Sequence, residues 1–433
     1  MGGPEGLRTL GKYGVVWIFN AALYAAPFLF SGNAGEAAFL TQEEAGAKTC
    51  EGEKRHEKTK TAFVQPAGYG TAGGRTARSA RGGRRRSNWR KCAGRGGKQH
   101  WRGTATLDTA AGTLVLENVT LDGSLSIRPA SAFTVTVLGA NSFAPAEGIS
   151  ADRANTPALA IRLQQGSSLT LSAWGGANAV CCPAGSLTAA GPGSLKASSQ
   201  EYPALWAQKD IALEDGVKAG VSSGSEAVCS ASGGIAVDSA SLTACSKDAA
   251  VFAEGASTGG ACPDTSVVLR NSEVSLDTTQ GCDAVWAAQG GILVEDSTVD
   301  IQTRKDADGG YALYSEGNIT IRGAGTRLTA SSAYGIGALE NMEVEAGALN
   351  ASAYEGSAFS ARAMHISGGQ IHAYSAADSA LCTTGGTLAV TGEGASATAV
   401  SANAKNCCIQ LWRQRHLSGC GCQRRKHSGR QAL

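Results

Sequence analysis

The segment AVWAAQGGILVEDSTVDIQ, residues 284–302, holds one copy of the unit from which most of the chain is built. It opens on a small residue, an aliphatic one, a variable one and another small one: Ala284, Val285, Trp286, Ala287. Two alternating pairs follow, Ile292 with Val294 and Val299 with Ile301. Alternation at period two marks half-buried strands rather than a helix. Turn formers separate such segments throughout, as at Ser232-Gly233-Gly234 and Glu316-Gly317-Asn318.

The opening phrase recurs at Leu205, Val228, Val251, Val285, Leu313, Ile336, Phe359 and Leu381, spaced 23, 23, 34, 28, 23, 23 and 22 residues apart. A period in this range marks a stacked repeat. Leu159 lies two periods before Leu205, with Val180 near the midpoint, so the repeat continues upstream. Three short strands in about 23 residues fit one coil of an all-β, right-handed parallel β-helix solenoid, with identical positions stacked about 4.8 Å apart. About a dozen coils give a rod on the order of 55–60 Å long. A β-sandwich and a propeller are the rivals, but a propeller blade needs four strands in roughly 40 residues. The wider spacings between Val251 and Leu313 read as loops on one flank.

Composition agrees. The 433 residues include 58 Gly, only 17% are charged and only 6% are aromatic. So few large apolar groups suit the thin core of a solenoid better than one thick globular core. The net charge of +2 hides an asymmetry. Residues 103–404 carry 13 Lys+Arg against 29 Asp+Glu; residues 58–102 carry 13 basic residues and no acid, and residues 405–433 carry 7 and no acid. An acidic body does not suit nucleic acid.

Four segments follow. Residues 1–38 read as a signal peptide or uncleaved N-terminal anchor, with Arg8 and Lys12 before an apolar run and Gly35-Glu36-Ala37 as a cleavage site. Residues 39–103 form a basic segment without usable periodicity, residues 104–404 the β-helix, and residues 405–433 a basic tail. The two basic flanks read as disordered. Their abrupt, shared change of composition is also what a shifted reading frame produces. Gly68-Tyr69-Gly70-Thr71-Ala72-Gly73 matches a dinucleotide-binding pattern but lacks the strand before it and the helix after it.

Chemistry-bearing motifs are few. The 13 cysteines show no zinc spacing, although Cys262 and Cys282 bracket the expanded repeat and offer a disulfide or two thiols. His365 and His372 sit on neighbouring strands of one coil and read as surface residues. Glu295, Asp296, Asp300, Asp306 and Asp308 are the best acidic cluster. Such a cluster is either a solvated turn, a Ca²⁺ site or the acid/base pair of a glycan-cleaving enzyme. Arg304, Lys305 and Arg322 lie close by without a recognisable signature. No other cofactor is implied.

The residue after each anchor is more informative. Down the coils it reads Trp206, Cys229, Phe252, Trp286, Tyr314, Gly337, Ser360 and Cys382. With the aliphatic anchors facing the core, these positions face outward. Trp206, Phe252, Trp286 and Tyr314 then form an aromatic ledge on which sugar rings stack.

The phrases TLVLENVTL (residues 113–121) and Ala284-Val285-Trp286-Ala287 resemble those of cell-surface parallel β-helix proteins of anaerobic gut bacteria, described as carbohydrate-binding-domain-containing or adhesin-like. The resemblance spans residues 104–404 and concerns fold and repeat style. It implies an extracellular or cell-surface protein that binds a polysaccharide without cleaving it. A structural adhesin binding a protein partner and a polysaccharide lyase or hydrolase are the alternatives.

Overall fold

The computed structural model describes residues 101–411, apart from 129–130, 145–147, 152–155, 175, 258–263, 281, 305–308 and 404–405, together with the backbone of 61–64 and 430–432. These residues belong to one compact unit, Lys58–Leu433. The expected signal segment, the dinucleotide-like motif and Cys262 lie outside them. So do most of both basic flanks.

The described residues form an all-β parallel solenoid of three ladders. In the first ladder Leu125, Ile149, Val180, Leu205, Val228, Val251, Val285, Leu313, Ile336, Phe359, Leu381 and Ile409 pair in register, enclosing 11 turns. All eight anchors read from the sequence are in this row. The second ladder stacks Leu213, Val237, Leu269, Val294, Ile321 and Val344. The third stacks Val221, Ala244, Leu276, Ile301, Ala330, Ala351 and Ala373. Side chains from the three ladders meet in one continuous core. The third ladder alternates branched residues with alanines at Ala244, Ala330, Ala351 and Ala373. No helix of the described residues is long and apolar enough to cross a membrane.

The corners are as regular as the ladders. Between the second and third ladders the chain passes through the left-handed region at Asn118, Asp215, Ser239, Asn271 and Asp296, with φ between 44° and 56°. Asn and Asp tolerate that conformation best after glycine. Between the third and first ladders a row of hydroxyls satisfies the turning backbone. Ser199 Oγ donates to the Ala177 carbonyl (2.8 Å), Ser223 Oγ to Tyr202 (2.7 Å), Ser246 Oγ to Asp248 (2.8 Å) and Ser375 Oγ to Gly356 (2.7 Å). Buried carbonyls need such partners.

Three details differ from the sequence reading. Leu159 belongs to the second ladder, paired with Leu187, and Ile149 holds the anchor position instead. Both share the local alternation, so periodicity alone did not separate them. The insertions between Val251 and Leu313 also do not share a flank. The longer one falls between Ala253 of the first ladder and Thr265 of the second, whereas the other falls between Thr303 of the third ladder and Tyr311 of the first. Finally, the ends carry additional strands. Trp101–Asp108 runs antiparallel along Thr113–Asp122, Thr61–Val64 pairs with Ser124–Ile127, and Arg430–Ala432 runs antiparallel to Ser396–Ser401. Thr61–Val64 and Arg430–Ala432 come from the basic flanks and Trp101–Asp108 straddles the boundary of one; all three cover sheet edges that would otherwise be open to foreign strands.

Candidate functional site

Most strands of the first ladder are only 3 to 5 residues long and are flanked by small residues. In Ala284-Val285-Trp286-Ala287, Ala284, Val285 and Ala287 are all buried, so the only side chain left to face outward is Trp286. The same holds at Trp206, Phe252 and Tyr314, whereas Cys229 is buried and Gly337 has no side chain. Trp206, Cys229, Phe252, Trp286, Tyr314, Gly337, Ser360 and Cys382 are register partners in one outward column.

The four expected aromatic residues, Trp206, Phe252, Trp286 and Tyr314, are half-buried. Two of them, Phe252 and Trp286, lean on one another. The Phe252 and Trp286 centroids are 4.9 Å apart with the rings inclined at 51°. Cys229, between Trp206 and Phe252, is only 7% exposed, as a small side chain between large neighbours must be.

Two aromatic residues were missed by the sequence reading. Tyr311 stacks on Tyr314, with centroids 5.0 Å apart, and Tyr334 tilts against Tyr311 at 5.3 Å. Both precede their anchors by two residues and fold back into clefts left by glycines. A Cβ on Gly337 would meet Tyr311 at 2.5 Å, and one on Gly356 would meet Tyr334 at 2.2 Å. The glycine at Gly337, which interrupts the aromatic column in sequence, is the seat of a ring from the preceding coil. The bare phrase Gly335-Ile336-Gly337-Ala338 was the signal available.

Carboxylates border the column on both sides. Glu254 and Glu316 follow Phe252 and Tyr314 by two residues, while Glu226, Asp248 and Asp283 precede their anchors. Burial pushes Glu254 and Glu316 upward from the usual carboxylate range. Glu226 is also raised by burial, against a hydrogen bond from Ser225. Asp283 is pushed up to about 6 by burial, opposed by the Tyr311 N–H that it accepts at 2.6 Å. Burial and then Glu226 and Glu254 hold the Cys229 thiol well up, and burial with Glu316, Tyr311 and Asp283 pushes the Tyr314 phenol up to about 12. The Cys282 thiol faces Asp248 (3.8 Å) and is held at about 12 by burial and that carboxylate. It stays protonated, which removes it as a nucleophile. Cys282 is a free thiol.

The three described members of the acidic cluster, Glu295, Asp296 and Asp300, do not gather. Glu295 is ion-paired to Arg322 (2.8 Å), Asp296 accepts the Gly325 N–H at the corner (3.0 Å), and Asp300 is exposed on the third ladder. Asp306, Asp308 and Lys305 lie outside the described residues. His365 and His372 are exposed on different ladders, with His365 bonded to Thr391 (3.0 Å). Among the described residues no group of three or more His, Cys, Asp or Glu is placed to hold a metal ion.

No protein-family model, no curated protein and no solved structure matches the chain.

Proposed function

We propose that the first ladder is a binding face for an extended polysaccharide, held without cleavage along the column Trp206, Phe252, Trp286 and Tyr314, with Tyr311 and Tyr334 as its extension. The observation that carries this reading is the register of the aromatic residues: Phe252, Trp286 and Tyr314 stand on three consecutive coils. Coils repeat at about 4.8 Å, a step similar to the length of one pyranose unit. A polymer laid along the rod therefore offers a ring to each coil. Aromatic faces pack against the apolar faces of sugars, and the half-burial of each ring fixes its angle in advance, which lowers the ordering cost of binding. The reading includes display outside the cell, in the manner of the surface β-helix proteins of anaerobic gut bacteria that the coil phrases resemble.

The test is titration with oligosaccharides of neutral β- and α-linked glucans, mannans and xylans, following tryptophan fluorescence. Saturable change with affinity rising as the oligomer lengthens supports a strip of repeated subsites. Absence of binding across a broad panel refutes it.

A further inference from the structure

The two ends of the rod are finished differently. At the first coil Thr61–Val64 covers the first ladder, and Trp101–Asp108 lies along Thr113–Asp122, which begins the other two. At the opposite end the first ladder finishes on Ile409–Leu411 and the third on Arg430–Ala432. The second stops one level earlier, at Thr387–Val390, whose outer edge has no strand partner among the described residues. This leaves a notch one strand deep between two flanking strands. Its floor registers the missing cover. Leu388 and Val390 are half-buried, whereas their register partners Met364 and Ile366 are 1% and 0% exposed. Ala397 and Ala399, on the strand that Arg430–Ala432 covers, stay buried.

We infer that this notch is a docking site for an extended strand of another polypeptide, one that carries two aliphatic side chains two residues apart. An open strand edge binds a strand through main-chain hydrogen bonds, and alternate side chains set the specificity. The ladder itself states which side chains fit. Its inward pairs are apolar in coil after coil: Ile292 with Val294, Ile319 with Ile321, Met342 with Val344. A further pair set on Leu388 and Val390 continues both rows. The sequence that follows Leu411 does not offer one in place. In those three coils the pair begins six or seven residues after the anchor, and the same offsets from Ile409 fall on Arg415 with Leu417 or on His416 with Ser418. The floor strand, Thr387-Leu388-Ala389-Val390, also lacks the charge or proline with which natural proteins guard an edge.

The probe is a fluorescein-labelled peptide of sequence EGNITIRG, residues 316–323, which contains one such pair. Its control carries Ile319→Asp and Ile321→Asp. Anisotropy is followed as each is titrated with the full chain. The first peptide is expected to bind saturably, and the control more than about tenfold more weakly, because two apolar contacts are lost. In the protein, Leu388→Asp is expected to abolish binding. Val390→Thr keeps nearly the shape of valine and adds a hydroxyl; it is expected to weaken binding while the circular dichroism spectrum and melting curve stay as in wild type. Absence of binding to the wild-type chain, equal binding of the two peptides, or binding unchanged by Leu388→Asp and Val390→Thr overturns the inference.

Discussion

The rings of Phe252 and Trp286 lie 4.9 Å apart although 34 residues separate them, because the two residues are register partners on neighbouring coils. The insertion between Ala253 and Thr265 does not shift the ladder. The contact is therefore a property of the register, and it predicts a coupling. In a double-mutant cycle of Phe252→Ala and Trp286→Ala, the interaction free energy measured by urea unfolding is about 0.5–1.5 kcal/mol. Strict additivity would mean that the two rings do not touch in solution.

The anchor row predicts intolerance to charge. Val285 is fully buried between Val251 and Leu313. Val285→Asp removes roughly 1.5–3 kcal/mol of apolar burial and adds an unpaired buried carboxylate. The variant loses its cooperative melt or unfolds at a much lower temperature, by circular dichroism. Trp206→Asp, on the outward column, is expected to retain the β spectrum.

The hydroxyl row at the corner predicts a loss without any change of shape. Ser375 Oγ donates to the Gly356 carbonyl and accepts the Asp378 N–H at 2.9 Å. Ser375→Ala leaves both backbone groups unpaired in a buried corner. The expected cost is about 1–3 kcal/mol by denaturant unfolding. A neutral result would show that water replaces the hydroxyl.

Asp283 predicts a pH dependence. An unfolded aspartate titrates near 3.9, and burial holds Asp283 at about 6. Below the unfolded value both states are protonated and no penalty arises. As pH rises toward 6 the unfolded state gives up its proton first, so the folded state is progressively disfavoured. Above about 6 the loss is complete, on the order of 2–3 kcal/mol. Asp283→Asn keeps an acceptor for the Tyr311 N–H. It should stabilise the protein at neutral pH and leave it unchanged at acid pH. A gain that is equal at both would assign the effect to packing rather than ionisation.

Much of this molecule was legible in its sequence because a stacked repeat writes each ladder as a column of like residues. Val228, Val251 and Val285 announce the core row, and Phe252, Trp286 and Tyr314 announce the outward row. What escaped was whatever crosses between coils. Tyr311 lies over Gly337, 26 residues later, and nothing in either residue names the other. The strands Thr61–Val64 and Arg430–Ala432 sit in basic segments whose composition hides them. The half-burial of the column also follows from neighbouring coils rather than from its own strand. It changes one expectation: truncating Trp286 is expected to cost stability.

The most direct measurement is the affinity of Trp286→Ala for the glycan that wild type binds best, read beside its melting curve. Full burial would make the truncation cost about 3–5 kcal/mol; half-burial reduces that to about 2 kcal/mol, a fall of several degrees that leaves the fold intact at about 2–4 °C per kcal/mol. Saccharide binding is predicted to weaken about tenfold. An unchanged affinity in a folded Trp286→Ala protein would contradict the assignment of this column as the binding face.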